Sequence, residues 1–162
     1  DCTQLSTIEI EERNDQLSIG SYSFSKTNIE EIYFPNYITK IDTSAFEGCK
    51  KLKSIVFQQE GATVTTIENE AFLGSQVENL VFPKSLEKCH LSAFFQCKNL
   101  TQVVFLSDKI EIKSIFDGIL NGLLIVELPN VKSIFFNFAS YVKYNGLMFV
   151  VHAGAEIKER EK

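Results

Sequence analysis

Few side chains in this sequence have types and spacings suited to chemistry. Cysteine stands at 2, 49, 89 and 97, and histidine at 90 and 152. A zinc site would need a C-x-x-C or paired-His spacing to close a tetrahedral shell, and neither occurs. A nucleophile needs a base held beside it. Neither His90 nor His152 has a Ser, Cys or Asp partner in a recognisable motif, so both read as ordinary surface histidines. The chain has no G-x-S-x-G, H-E-x-x-H, G-x-x-x-x-G-K or G-x-G-x-x-G. The expectation is a non-catalytic protein with no metal site and no cofactor.

Cys49 and Cys97 hold equivalent places, each three residues after an Ala-Phe pair. In a stacked array they would lie two layers apart, roughly 10 Å. A disulfide needs Cα atoms within about 7 Å. The pair should stay unbridged, each thiol filling a small buried slot. Cys89 and Cys97 fall on either side of Phe94. Cys2 reads as a free terminal thiol or as the partner of something outside this sequence. Asn99-Leu100-Thr101 is a glycosylation sequon, but one match in a chain of 162 residues is expected by chance and weighs little.

Composition narrows the function classes. There are 14 Phe, no Trp and 3 Pro, so one structural slot is being filled by Phe repeatedly. The net charge of −5 argues against nucleic-acid binding, which draws its affinity from neutralising phosphates. It argues equally against a polybasic membrane-surface role. No apolar run approaches the ~20 residues of a spanning helix. The start, Asp1-Cys2-Thr3-Gln4, lacks the basic and apolar regions of a signal peptide. A segment removed before Asp1 would fit the missing initiator Met.

The Phe residues carry a period. Those directly preceded by Ser or Ala are Phe24, Phe46, Phe72 and Phe94, with a weaker match at Phe116, at spacings of 22, 26, 22 and 22. The residues ending each alternating apolar segment are Phe34, Phe57, Phe82, Phe105 and Leu128, at spacings of 23, 25, 23 and 23. Two independent markers therefore agree, and both lengthen at the third unit. The second unit reads Ile38-x-x-Ile41-x-x-x-Ala45-Phe46-x-x-Cys49-x-x-Leu52-x-x-Ile55-x-Phe57. The fourth repeats it from Leu86 to Phe105. The third lacks one residue before Val77 and carries an insert around Gln58-Gln59-Glu60-Gly61-Ala62. This periodicity marks a solenoid.

The pattern I-x-x-x-A-F-x-x-C-x-x-L-x-x-I-x-F/I-P resembles the BspA-like leucine-rich repeats found on surface proteins of bacteria and of parasitic protists such as trichomonads. The resemblance implies an α/β solenoid: a right-handed leucine-rich-repeat superhelix. Short parallel strands would line its concave face, with short strands or helical turns on the return path. The expected organisation is an N-terminal cap at 1–16 and five repeats over 17–129, at about 17–35, 38–57, 64–83, 86–105 and 110–129. A degenerate last coil or C-terminal cap would follow at 130–155, and a charged, frayed tail at 156–162. The resemblance also implies a cell-surface or secreted adhesion module that binds a host or cell-surface protein. An intracellular scaffold with the same solenoid is the alternative, and unpaired thiols would suit a cytoplasmic home.

Each unit supplies one strand, such as Ile55-Val-Phe57, whose alternation marks a half-buried sheet. Thr43 or Ser44 is placed to cap a helical turn holding Ala45, Phe46 and Cys49, with Gly48 helping to end it. Phe46 should touch Phe24 and Phe72 in an internal ladder. The residues facing outward form two columns. One is Glu31, Ser54, Asn79, Gln102 and Ile125. The other is Tyr33, Val56, Val81, Val104 and Glu127. The second column would make an exposed apolar stripe ~15 Å long over the first four coils, and such stripes often mark interaction sites. Val and Tyr are also simply good strand formers, and the sequence does not separate the two readings. Tyr33, Val56, Val81 and Val104, with Glu31, Ser54, Asn79 and Gln102, are the candidate binding residues. The open ends of the stack are candidates for self-association.

Overall fold

The computed structural model describes residues 4–11, 14–90, 92–108 and 110, together with the backbone of four further strands at Leu124–Leu128, Ser133–Phe136, Leu147–Val151 and Glu156–Glu159. It is a parallel-strand β-solenoid of about four turns. One face carries the shorter strands β1 (Leu17–Ile19), β3 (Ile38–Ile41), β5 (Thr66–Ile67) and β7 (Lys88–Cys89), hydrogen-bonded in that order. The other face carries the longer strands β2 (Glu31–Phe34), β4 (Ser54–Phe57), β6 (Asn79–Phe82) and β8 (Gln102–Phe105). It continues into β9 (Leu124–Leu128) and β11 (Leu147–Val151). Every pairing is parallel, because each strand is reached by a full coil of chain.

The register matches the repeat. Ile32 pairs with Ile55 and Phe34 with Phe57; Leu80 pairs with Val103 and Phe82 with Phe105. The offset continues beyond the clear motif: Leu124 pairs with Leu147, and β10 (Ser133–Phe136) lies beside β12 (Glu156–Glu159) with Ser133 opposite Glu156. Glu156–Glu159, read from sequence as the start of a frayed charged tail, is thus strand.

The core holds two aromatic ladders. Phe24, Phe46, Phe72 and Phe94 stack with successive ring centroids 5.2 Å apart, as expected for neighbours one coil apart. Phe34, Phe57, Phe82 and Phe105 form a second ladder at 5.1, 5.6 and 4.9 Å. The ladders meet edge-on where Phe34 contacts Phe46 and Phe72 at 5.7 and 6.2 Å. Ala45, Ala71 and Ala93 are fully buried. Their side chains are small because the backbone passes close to its neighbour here: Phe46 N–H donates to Ala71 O at 2.7 Å and Phe72 N–H to Ala93 O at 2.8 Å.

Those bonds correct the expected helical turns. No residue of the return path among those described is helical. The backbone amides that a helix would use internally bond to the next coil instead, as with Phe24 N–H to Ala45 O and Gly48 N–H to Leu73 O. The turns are opened by left-handed residues at two slots per coil. One slot holds Tyr22, Ser44 and Glu70 at φ 58°, 54° and 56°; the other holds Lys26, Gly48, Gly74 and Gln96 at φ 59°, 70°, 74° and 59°. Ser44 is therefore not a helix cap. It is fully buried and its Oγ has no hydrogen-bond partner.

Residues 4–11 run without regular structure across the first coil. Ile8 and Ile10 pack against the core, Leu5 O accepts from Asn28 N–H at 2.8 Å, and the Tyr37 hydroxyl donates to Glu11 O.

Candidate binding surface

The outward columns stand where the repeat places them. In the register of the long strands, Glu31 lies opposite Ser54 and Tyr33 opposite Val56; Asn79 lies opposite Gln102 and Val81 opposite Val104. The strand alternation that buries Ile32, Ile55, Leu80 and Val103 drives the flanking residues outward. Tyr33, Val56 and Val81 are 52%, 47% and 43% exposed, and Val104 is half-buried. In the other column Glu31 and Asn79 are exposed while Ser54 and Gln102 are half-buried. The columns continue in backbone register to Ile125, opposite Gln102, and Glu127, opposite Val104.

The sheet has a seam that the repeat alone does not show. β2 pairs with β4, and β6 with β8, but no ladder joins β4 to β6. The two strands are nonetheless neighbours, with Phe57 and Phe82 rings 5.6 Å apart. The cause is visible in the sequence of the third coil. Gln58 N–H donates to Phe34 O at 2.9 Å, and Leu106 N–H donates to Phe82 O at 3.1 Å. The equivalent residue between them is Pro83, which has no N–H to give. The Phe57 carbonyl is satisfied instead by the side chain of Gln59, whose Nε2 donates at 2.8 Å and also reaches Val81 O at 3.4 Å. At the other end of the strand, the residue missing before Val77 displaces the bond, which runs from Gln76 N–H to Leu52 O at 2.8 Å.

A groove of about 530 Å³ opens along this seam. Its lining includes the apolar Ile55, Val56, Phe57 and Val81 and the charged Lys53 and Glu78. Sequence reasoning selected Val56, Val81, Ser54 and Asn79 but missed Gln59, Lys53 and Glu78. The available signal was the 25-residue spacing together with Pro83. Tyr33 borders the same surface, its hydroxyl donating to Gln58 Oε1 at 3.1 Å.

Of the residues that could have done chemistry, the three described cysteines are placed for structure. Cys49, Cys89 and Cys97 are free and buried. Burial pushes the Cys89 thiol up to about 12 and the Cys97 thiol up to about 11. Burial also raises Cys49, with partial opposition from the Thr27 hydroxyl. A nucleophilic cysteine needs the opposite shift. Cys49 and Cys97 belong to a buried column of small hydrogen-bonding residues. Thr27 Oγ1 meets Cys49 Sγ at 3.2 Å, Ser75 Oγ meets Cys97 Sγ at 3.1 Å, and the thiols donate to Phe24 O and Phe72 O at 3.1 and 3.3 Å. His90 is half-buried on the return path, and its Nδ1 is buried without a partner. His152 and Cys2 lie outside the described residues. Among those described, no three His, Cys, Asp or Glu side chains converge as metal ligands, and no helix is long and apolar enough to cross a membrane.

The opposite face carries cross-coil ion pairs. Lys40 Nζ lies 2.7 Å from Asp42 and 3.3 Å from Glu68, which Lys88 approaches at 4.0 Å. The hydrogen bond to Asp42, then that to Glu68, raises Lys40 above its ordinary value. These groups are exposed, so solvent screens their contribution.

Coil-on-coil parallel pairing, internal Phe ladders and an outward-facing strand sheet define a leucine-rich-repeat solenoid. The chain belongs to the family of BspA type leucine rich repeat regions, which matches residues 17–138 in six copies. Among solved structures it is similar to a leucine rich cell surface protein from Faecalibacterium prausnitzii, with 19% identity and a TM-score of 0.50 over 66% of this chain and 31% of that one. It is also similar to the pneumococcal vaccine antigen PcpA, with 15% identity and a TM-score of 0.45 over 91% and 60% of the two chains. The chain thus spans about a third of the first and three fifths of the second. No curated protein matches it.

Proposed function

We propose that this chain is a non-catalytic protein-binding module, displayed at a cell surface or secreted, that engages a host or cell-surface protein through the outer face of its long-strand sheet. The carrying observation is the apolar column of Tyr33, Val56 and Val81, each about half exposed, with Tyr33 opposite Val56 and Val81 opposite Val104 on the two sides of the seam. Exposed apolar residues gathered on one face often mark an interaction site. Solenoids commonly use such extended faces for binding. The surface location rests on the family, and the intracellular scaffold remains the alternative. The free thiols do not favour that alternative, because burial protects them in any compartment.

The test is capture of labelled cell-surface proteins by the immobilised folded chain. Val81→Glu places a charge on the stripe at a half-exposed position and should cost only about 0.5 kcal/mol of stability. Captured protein should fall at least tenfold, while Lys88→Glu on the opposite face leaves capture unchanged. Undiminished capture by a folded Val81→Glu chain refutes the surface assignment.

A further inference from the structure

The sequon at Asn99-Leu100-Thr101 acquires weight from its setting. Leu100 is 4% exposed and anchored in the core. Alternation about that anchor turns both Asn99 and Thr101 out into solvent, on the turn leading into β8. The other nine Asn, at 14, 28, 36, 69, 79, 121, 130, 137 and 145, lack a hydroxyl residue two places on. Asn99 Nδ2 donates to Oε1 of the half-buried Gln76 at 3.1 Å, and Thr101 Oγ1 donates to Glu78 O at 3.1 Å. An N-linked sugar replaces one of the two Nδ2 hydrogens, so the remaining one can keep the Gln76 bond. Both functional residues of the sequon are exposed in the folded chain.

We propose that Asn99 is an N-glycosylation acceptor when the chain is translocated through a secretory pathway with N-linked transfer. The donor is a polyprenyl-diphosphate-linked oligosaccharide. Asn99 Nδ2 attacks the anomeric carbon and the N–C bond forms. The C–O bond to the diphosphate breaks, its electron pair leaves with the lipid diphosphate, and the displaced amide proton passes to a base of the transferase. The glycan stands at the strand-start edge. Val104, the stripe residue on the same strand, lies five residues on, ~16 Å along an extended chain. The proposal is independent of what that stripe binds.

The experiment is translation of the full chain behind a secretory leader in the presence of microsomes, with a second sequon on a flexible extension after Lys162 to report entry. Transfer precedes folding in this assay, so no variant is lost to misfolding. The wild type and Thr101→Ser should gain two endoglycosidase-sensitive mass increments; Asn99→Gln and Thr101→Ala should gain one. A wild-type chain carrying only the reporter glycan overturns the proposal, as does an Asn99→Gln chain that still carries two.

Discussion

Ser44 combines a left-handed backbone with a buried, unpaired hydroxyl, and replacing it should stabilise the protein. Its φ of 54° lies in the left-handed region, its side chain is fully buried, and its Oγ has no partner. Tyr22 and Glu70 share the slot and the conformation, but Tyr22 is exposed and Glu70 half-buried. A buried unpaired hydroxyl costs ~1–3 kcal/mol. The low end applies, because removing it leaves a void about the size of one oxygen. Ser44→Ala should therefore gain about 1 kcal/mol. A Cβ-bearing residue at positive φ is worse than Gly by about 1 kcal/mol after the greater unfolded-state freedom of Gly is allowed for. Ser44→Gly gains that further ~1 kcal/mol but loses the burial of the Cβ, about 0.8 kcal/mol, so it should gain about 1 kcal/mol in all. In a chain of this length 1 kcal/mol corresponds to ~2–4 °C. Thermal unfolding followed by circular dichroism should place Tm about 3 °C up for both Ser44→Ala and Ser44→Gly. A lower Tm for Ser44→Ala would mean that the hydroxyl is bonded. A Ser44→Gly Tm well below that of Ser44→Ala would mean that the turn is not strained, and either result refutes the reasoning.

The companion slot gives a paired expectation. Lys26→Gly and Gln96→Gly, both exposed at φ 59°, should each raise the urea midpoint by about 1 kcal/mol of stability. Gly48→Ala should lower it by at least as much, since its Cβ would also lie 3.2 Å from Lys26 Cγ. At the centre of the first ladder, Phe72→Ala should cost ~3–5 kcal/mol in the same measurement. At the seam, Gln59→Ala should cost about 1 kcal/mol by uncapping the Phe57 carbonyl. In a Pro83→Ala background, where a backbone N–H is restored, the cost should fall by half or more. Equal costs in a double-mutant cycle would show that Gln59 does not stand in for the missing donor. The thiols set a pH limit. Cys89 and Cys97 are raised to about 12 and about 11 from 9.0, so the folded chain holds protons that the unfolded chain has released. Their contribution is complete below pH 9 and lost from there up to about pH 12, so Tm should decline through that window. Replacing both thiols by Ser should flatten the decline.

Much of this architecture is written along the chain. Phe recurring at 22–26 residues announces coils, because only stacked coils bring such residues together. The alternation in Ile55-Val-Phe57 and its counterparts sets which side chains face outward, since a strand has a period of two. The outward columns are therefore legible in the amino-acid order alone, as is the inability of Cys49 and Cys97 to bridge.

Three things needed the tertiary structure. Whether Ala45-Phe46 would wind as a helical turn depended on where its amides found acceptors. The next coil offers Ala71 O within 2.7 Å, and that competing bond cannot be seen in a single repeat. The second Phe ladder was present as spacing but not as contact, because ring stacking at 4.9–5.6 Å depends on how closely the strands approach. The seam combined a Pro, a missing residue and an insert, three local departures with no evident relation along the chain. Only when β6 lies beside β4 does the absent Pro83 amide face the Phe57 carbonyl and the Gln59 side chain take its place. Repetition in sequence determines what each coil must do; contact between coils decides where one of them departs from the rule.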